Sequence, residues 1–374
     1  MLNRRTLLQS GLALPAVIGA GDAFAQGTGP IRIACAGPLT GSNAAAGDQM
    51  KVGATQAVAD LNAAGGLLGR QVALELGDDA CDPRQAVSVA NQLAGRRVVF
   101  VAGHYCSGSS IPASKVYAEE GVLQMSPAST NPRFTDEGGW NTFRVCGRDD
   151  QQGLVAGKYI ADNFKGKKVA ILHDNQAYGK GLAEETKKSM NAGGLQEVLF
   201  TAYNPGERDY SALVSRMKGA GVDVMYIGGY YTEAGLILRQ SKEQGMNVTM
   251  IGGDSLVTKD FWQITGAAGE GALMTFSSDP RNRPTAARVV QAFKAKNIDP
   301  EGYVLYTYAA VEIWAAAAKK LNAVDPRRIA AELKASGPWQ SVLGPISFDR
   351  KGDVTVPDYV FYVWKNGNYT ELKS

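Results

Sequence analysis

Hydroxyl-bearing and small residues follow two predicted strands in the first half of the chain. Residues 103–110 include Ser107 and Ser109 ahead of a predicted helix, and residues 126–132 include Thr130 after the next strand. Hydroxyls and the free N–H groups of a helix N-terminus are typical ligands of a carboxylate. We predict that the two segments form one anion site, the alternatives being N-capping by Ser107 or Ser109 and an ordinary Ser/Thr turn.

Tyrosines and one carboxylate follow predicted strands in the second half. Tyr178 and Tyr230 come after two of these strands, and Asp254 comes after a third, behind two glycines. An aspartate after Gly-Gly is most often a turn or N-cap residue. Beside two tyrosines it can instead bind an ammonium group. An anion site facing a carboxylate indicates a zwitterionic ligand.

Signatures of catalysis are scarce in this chain. Its two histidines, His104 and His173, are too far apart in sequence for a His-Glu-x-x-His zinc site. The sequence has no phosphate-binding loop, dinucleotide-binding glycine turn or nucleophile elbow. Residues 215–218 match Ser-x-x-Lys inside a predicted helix, but without the partner motifs the match indicates chance. We expect no catalytic activity, no metal site and no cofactor.

Composition places the chain among soluble globular proteins. Of its 374 residues 45% are hydrophobic and 20% charged, and the net charge is +3. That balance excludes a disordered or collagen-like chain, and the charge gives no indication of nucleic-acid binding. The length suits two domains.

The N-terminus predicts a signal peptide over residues 1–25. Arginines at positions 4 and 5 precede an apolar stretch at 11–21, and Ala-Phe-Ala at 23–25 is a typical cleavage site. The arginine pair is typical of the twin-arginine export route, although general export leaders also begin with arginines. We therefore expect a periplasmic protein.

Export makes the four cysteines candidates for disulfides, with three possible full pairings. Cys81 and Cys106 each follow a predicted strand, and neighbouring parallel strands would bring those loops together. We predict that these two cysteines form a disulfide. Cys35 lies within an apolar strand and is expected to be a buried thiol, and Cys146 has no predicted state.

Apolar runs alternate with helical patterns along the chain, which is typical of α/β proteins with parallel sheets. We predict strands at residues 31–36, 72–76, 98–103, 122–125, 169–172, 197–201, 222–227, 248–251, 271–276, 342–348 and 359–364. We predict helices at residues 48–64, 83–93, 109–119, 151–163, 179–192, 210–218, 232–244, 284–296, 304–321 and 326–335. The fold class is α/β, with two doubly wound parallel-sheet lobes and a ligand cleft between them. The first lobe comprises residues 27–147 and 276–353, and the second comprises 148–275 and 354–374. Ligands bind at the carboxyl ends of such strands.

The chain resembles the periplasmic leucine/isoleucine/valine-binding proteins, which are substrate-binding subunits of branched-chain amino-acid ABC transporters. The resemblance covers essentially the whole mature chain and is most specific at residues 78–83, 103–107, 125–130, 173–179 and 226–230. It implies a type I periplasmic binding protein that closes over its ligand and delivers it to a membrane permease and ATPase. The family's disulfide also falls on Cys81 and Cys106.

The resemblance implies a role for individual residues. Ser107 and Thr130 match positions that hold the ligand carboxylate, while the Ala128 carbonyl and the Thr130 hydroxyl accept from the ammonium group. Asp254 stands where the family usually has a glutamate counter-ion. The remaining matched positions are Tyr178 and Tyr230, which close over the ligand, Asp149 in the crossover segment, and Ser129.

The side-chain pocket departs from the family pattern. Ala46 replaces an aromatic residue, and Tyr105 and Tyr303 stand where the family has apolar residues of varied size. We expect the lost ring to leave room for a longer or aromatic side chain. The predicted function is a monomeric binder of a neutral apolar amino acid, and the alternatives are a binder of aromatic or other organic acids, an amino-acid sensor, and an exported enzyme on the same fold.

Overall fold

The structure is a computed structural model, and it describes residues 29–372. The predicted signal peptide at residues 1–25 therefore lies outside the described residues. The strands are β1 Ile31–Gly37, β2 Val72–Asp78, β3 Phe100–Gly103, β4 Leu123–Ser126, β5 Thr142–Arg144, β6 Val169–His173, β7 Glu197–Ala202, β8 Val224–Gly228, β9 Thr249–Gly252, β10 Leu273–Ser277, β11 Trp339–Ser341, β12 Gly344–Ile346, β13 Tyr359–Lys365 and β14 Asn368–Glu371.

Helices separate most of these strands. They are α1 Ala44–Ala63, α2 Pro83–Gly95, α3 Ser107–Glu119, α4 Arg133–Asp136, α5 Asp149–Asn163, α6 Ala177–Ala192, α7 Ser211–Ala220, α8 Tyr231–Glu243, α9 Lys259–Thr265, α10 Ala287–Lys294, α11 Val304–Leu321 and α12 Pro326–Ala335. Single turns of 3₁₀ helix occur at Asp254–Leu256, Gly266–Gly269, Pro280–Asn282 and Pro284–Ala286.

The strands form two large sheets. The first has the order β2-β1-β3-β4-β5 and is parallel throughout, with Ile33 of β1 opposite Leu74 of β2 and Phe100 of β3. The second has the order β14-β13-β10-β9-β8-β6-β7. In it, β13 runs antiparallel to both of its neighbours, β10 and β14. Each sheet, with the helices that cover it, is called a lobe below. The predicted α/β fold class is confirmed.

The chain crosses between the sheets more than once. It leaves the first sheet after β5, forms β6 to β10 of the second, and enters that sheet again at β13. Between β10 and β13 it returns to the first lobe, where Trp314 of α11 stacks on Phe100 of β3 at 5.1 Å between ring centroids. Loops from both sheets therefore meet in the middle of the molecule.

Local signals fixed several element boundaries. Asp82 caps α2 as predicted, because its carboxylate accepts from the N–H groups of Arg84 and Gln85, both at 2.8 Å. The helix predicted over 304–321 is α11 without a shift at either end.

The strand predicted over residues 342–348 is wrong. Two short strands, β11 and β12, form a hairpin there, and Val342 and Leu343 are its turn. Both turn residues are buried, so their apolar side chains reflect packing rather than strand structure. The helix predicted from residue 284 begins as a 3₁₀ turn, and regular α-helix starts at Ala287.

The predicted disulfide is present. Cys81 and Cys106 are bonded with their Cα atoms 5.5 Å apart, while Cys35 and Cys146 are free and buried. The buried thiol predicted for Cys35 is thus confirmed. Within residues 29–372 no helix combines the length and apolar character needed to cross a membrane.

Candidate functional site

Between the carboxyl ends of the two sheets lies a small cavity, with about 170 Å³ of space that no atom occupies, part of it open to solvent. Its lining comes from the loops after β3 and β4 of the first lobe and after β6, β8 and β9 of the second. The lining residues are Tyr105, Ser107, Ala128, Tyr178, Tyr230, Asp254 and Ser255. The structure thus brings together most of the predicted site residues at the place where parallel sheets bind ligands.

The first wall of the cavity includes the N-terminus of α3. This helix begins at Ser107, and its N-cap residue, Cys106, makes no side-chain capping bond. N-capping by Ser107 or Ser109, the alternative considered from the sequence, does not occur. The Ser107 hydroxyl accepts a hydrogen bond from the N–H of Asn131 at 3.2 Å and can still donate to a ligand.

The loop after β4 supplies the rest of this wall. Ser126 forms the Ser/Thr turn, since its hydroxyl accepts from the N–H groups of Ala128 at 3.2 Å and Ser129 at 2.8 Å. The Ser129 hydroxyl donates to the Tyr105 carbonyl at 2.9 Å, so it links two loops and does not line the cavity. The Thr130 hydroxyl is buried and has no hydrogen-bond partner among the described residues. Thr130 does not line the cavity, and its hydroxyl lies close enough to Asp149 to lower the pKa of that carboxyl group.

Asp254 occupies the opposite wall, with a residue exposure of 3%. The Tyr178 hydroxyl donates to Oδ1 at 2.7 Å, and the Tyr303 hydroxyl donates to Oδ2. Asp254 is the first residue of a 3₁₀ turn, and its N-cap is Gly253, which makes no side-chain capping bond. The Asp254 carboxylate binds the two tyrosines and does not cap the turn, so it is not the N-cap side chain considered from the sequence. Burial raises its pKa, while the hydrogen bonds from Tyr303 and Tyr178 act in the opposite direction.

Tyr303 joins the two lobes at this point. Its N–H donates to the side chain of Gln49 on α1 at 3.0 Å, which places it in the first lobe, while Asp254 follows β9 of the second. A hydrogen bond also links the lobes, since the side-chain amide of Asn131 donates to the Ala177 carbonyl at 2.6 Å. The two walls are therefore in direct contact.

Aromatic rings occupy the space around Asp254. Tyr105 packs edge-on against Tyr303 at 5.3 Å and lies 5.9 Å from Tyr230, which in turn lies 5.1 Å from Tyr178. Ala46 is itself buried. The room that we expect beside Ala46 for a longer or aromatic ligand side chain stays a prediction.

Asp149 is a second buried carboxylate near the cleft. It begins α5, and its N–H donates to the Thr130 carbonyl at 2.9 Å, but neither carboxylate oxygen has a partner among the described residues. Burial and the charge of Asp254 raise its pKa well above the usual range. Asp149 lies behind the cavity wall and not in it.

Arg144 holds the loop after β4, a role that the sequence did not suggest. Its guanidinium donates to the carbonyls of Ser129 at 2.6 Å and Asn131 at 3.0 Å, and it pairs with Asp353 at 2.6 Å. The one available signal in the sequence is that Arg144 stands between the apolar residues Phe143 and Val145. Ser255, which also lines the cavity, carried no signal at all.

The site offers hydrogen-bond donors on one wall and a carboxylate on the other. No group of three or more His, Cys, Asp or Glu side chains within residues 29–372 could hold a metal ion. Hydroxyl groups and a carboxylate in one small cavity can bind a small dipolar molecule.

Known proteins share this sequence and this architecture. The family model described as periplasmic binding protein matches residues 30–368. A protein of Brucella suis named Leu/Ile/Val-binding protein homolog 1 is 49% identical over 365 residues, which are 97% of each chain.

Solved structures give the same result. The leucine binding protein LivK of Thermotoga maritima has a TM-score of 0.85 at 27% identity, covering 92% of this chain and 98% of that one. The branched-chain amino acid transporter substrate binding protein LivJ of Streptococcus pneumoniae, in complex with isoleucine, has a TM-score of 0.83 at 28% identity, covering 92% and 100%. On this evidence the chain belongs to the periplasmic binding protein family.

Proposed function

We propose that the protein captures a neutral apolar amino acid of branched-chain size and delivers it to an ABC permease. The observation that carries the proposal is that the buried Asp254 carboxylate and the Ser107 hydroxyl line one small cavity, with the buried Thr130 hydroxyl in the adjoining loop. Related proteins are named for binding leucine, isoleucine and valine, and LivJ was solved with isoleucine.

The ligand's carboxylate is assigned to the first wall. The Ser107 and Thr130 hydroxyls donate to it, together with the unsatisfied N–H groups in the first turn of α3. The ammonium group is assigned to Asp254 and to the Ala128 carbonyl, and Asp149 adds a second negative charge nearby. An apolar side chain then contacts the faces of Tyr105 and Tyr230, which do not demand hydrogen bonds.

Size separates this ligand class from the aromatic alternative. Tyr105, which lines the cavity, already packs against both Tyr303 and Tyr230. Admitting another ring requires one of these tyrosines to change its rotamer, whereas a branched aliphatic side chain needs less space. The organic-acid alternative also leaves Asp254 without a cation, which is costly in a buried site.

The contacts are divided between the lobes, so ligand binding favours the closed arrangement. The proposed lobes are residues 27–147 with 276–353 and residues 148–275 with 354–374, joined by the crossover segments. Export through the signal peptide at 1–25 places the protein in the periplasm as a monomer, where an inner-membrane permease and its ATPase are the partners. The proposed role is transport and not turnover or sensing.

A thermal-shift panel of the twenty amino acids and several carboxylates tests the proposal. We expect leucine, isoleucine or valine to give the largest increase in melting temperature, and the matching 2-keto acids to give none. Calorimetry on the strongest ligand gives the affinity and stoichiometry. A panel in which plain carboxylates stabilise the protein more than amino acids would overturn the assignment of Asp254.

A further inference from the structure

Behind the cavity, the second lobe contains a buried acidic cluster that the binding site does not use. It consists of Asp174 after β6, Tyr203 after β7 and Glu233 in the first turn of α8. Their exposures are 2%, 5% and 3%. None of the three lines the cavity. Buried acids without a cation are uncommon, so their presence calls for a function.

Asp174 lies between the two backbone segments that carry the cavity tyrosines. Its N–H donates to the carbonyl of Gly228 at 3.2 Å, and its Oδ1 accepts from the N–H of Gln176 at 2.8 Å. A methyl group added at Gly179, next to Tyr178, would collide with this Oδ1. The carboxyl group therefore packs directly on the turn that presents Tyr178.

The other carboxyl oxygen faces the segment that presents Tyr230. A methyl group added at Gly229 would lie 3.5 Å from Oδ2 of Asp174 and would collide with the Tyr203 hydroxyl. Both atoms, Oδ2 of Asp174 and the Tyr203 oxygen, are buried and have no hydrogen-bond partner among the described residues. Two orphaned polar atoms thus flank the glycine that precedes Tyr230.

The charges around Asp174 disfavour its ionised form. Glu233 on α8 is a like charge, and its Oε1 accepts from the N–H of Gly206 at 3.0 Å. The other titratable groups facing this region are Tyr203, Tyr230 and His173, whose ring nitrogen accepts from Asn175 N–H at 3.1 Å. Burial, with a smaller contribution from Glu233, raises the pKa of Asp174 to about 7, although the Gln176 N–H lowers it.

We propose that Asp174 is a positioning residue whose protonated carboxyl group holds Tyr178 and Tyr230 in their ligand-facing arrangement, and whose ionisation releases them. The inference rests on the proposed function only in assigning those two tyrosines to the ligand. A neutral carboxyl group can remain buried in the observed position, where Oδ2 has no hydrogen-bond partner among the described residues. An ionised one, beside Glu233, must attract water or draw the Tyr203 hydroxyl to Oδ2, and the turns packed on both groups move as well.

The sign of the pH effect follows from this arrangement. The closed, ligand-binding form needs the proton, whereas Asp174 in a loosened form ionises at lower pH. Ligand affinity should therefore fall as pH rises towards about 7, by up to about tenfold per pH unit for one linked proton, and should level off above that pH. Ionisation of Asp254 has the opposite effect, because the ammonium group needs its negative charge.

The experiment compares wild type with Asp174→Asn, which keeps the shape of the protonated acid but cannot ionise. Affinity for L-leucine is measured by calorimetry from about pH 5.5 to about pH 8.5, with Asp162→Asn on the exposed face of α5 as the matched control. We expect the loss of affinity at high pH in wild type and in the control but not in Asp174→Asn. Parallel profiles for wild type and Asp174→Asn would overturn the proposal.

A second measurement makes the test independent of the ligand. Near-ultraviolet circular dichroism of the ligand-free protein reports the tyrosine environment, and we expect a transition near neutral pH that Asp174→Asn abolishes. Its absence in wild type overturns the positioning role even if L-leucine does not bind. Where L-leucine fails but the transition is present, the assigned ligand is wrong and the role of Asp174 stands. Should Asp174→Asn not fold, Glu233→Gln replaces it and should move the transition to lower pH.

Discussion

Replacing Asp254 with asparagine is the sharpest test of the ligand assignment. The substitution preserves the size of the side chain and one carbonyl oxygen, which can still accept from the Tyr178 or the Tyr303 hydroxyl. It removes the negative charge that we assign to the ligand's ammonium group. The variant should therefore fold and close, but it should bind amino acids weakly.

The size of the effect follows from burial. Asp254 is 3% exposed, so a bound ammonium group beside it would be shielded from water and from salt. Truncating one partner of a buried, hydrogen-bonded charge pair costs about 2–5 kcal/mol. At about 1.4 kcal/mol per factor of ten, affinity should fall between about 30-fold and several thousand-fold.

The assay is calorimetry of wild type and Asp254→Asn with L-leucine and with its 2-keto acid analogue. The keto acid has no ammonium group, so it should bind wild type poorly and the variant relatively better. Asp162→Asn, which removes an exposed carboxylate of α5, is the control and should leave both affinities unchanged. Equal amino-acid affinity in wild type and Asp254→Asn would refute the zwitterion assignment and favour a plain organic acid.

Three further predictions concern stability. Replacing both Cys81 and Cys106 with alanine should lower the free energy of unfolding by about 3 kcal/mol for a loop with a sequence separation of 25; chemical denaturation measures the loss, and free thiols in the oxidised wild type would contradict it. Asp149→Asn should raise the melting temperature of the ligand-free protein, and the increase should grow as pH rises. The reason is that burial raises the pKa of this unpartnered carboxyl group, so its ionisation costs stability in the folded protein. A variant that is less stable than wild type at every pH would show that Asp149 has a partner. Arg144→Met should lower the free energy of unfolding by about 1–3 kcal/mol, because the buried carbonyls of Ser129 and Asn131 lose their donor while Asp353 keeps Arg148 at 2.7 Å. Urea unfolding measures the loss, and an unchanged midpoint would contradict it.

The regular parts of the fold could be predicted because their signals are local. Asp82 before a proline predicts an N-cap, and the apolar run at residues 31–36 predicts a strand buried on both faces; the structure confirms both. The disulfide was predicted correctly, but its premise of neighbouring strands was wrong: Cys81 follows β2 and Cys106 follows β3, and β1 lies between these two strands. The two loops meet across the end of β1, which the residues of one element could not show.

Tertiary context decided what the sequence left open. Val342 and Leu343 are apolar because the hairpin turn between β11 and β12 packs inward, which overrides the rule that turns are polar. The aromatic packing around the cavity could not be judged from single positions, since Tyr105 and Tyr303 come into contact from distant parts of the chain. Side-chain volume in a cleft is a property of all its walls together.

The tyrosine contacts of Asp254 also explain how one carboxylate can serve both the closed fold and the ligand. A carboxylate has about four lone-pair sites, and the Tyr178 and Tyr303 hydroxyls use two of them. The remaining sites are available to an ammonium group, so the tyrosines orient the carboxylate without occupying all of its lone pairs. Because Tyr303 belongs to the first lobe and Tyr178 to the second, this orientation is complete only when the lobes meet. Under the proposed function, the ammonium group would find its counter-ion fully oriented in the closed form alone, and that difference in affinity between open and closed forms would couple binding to closure.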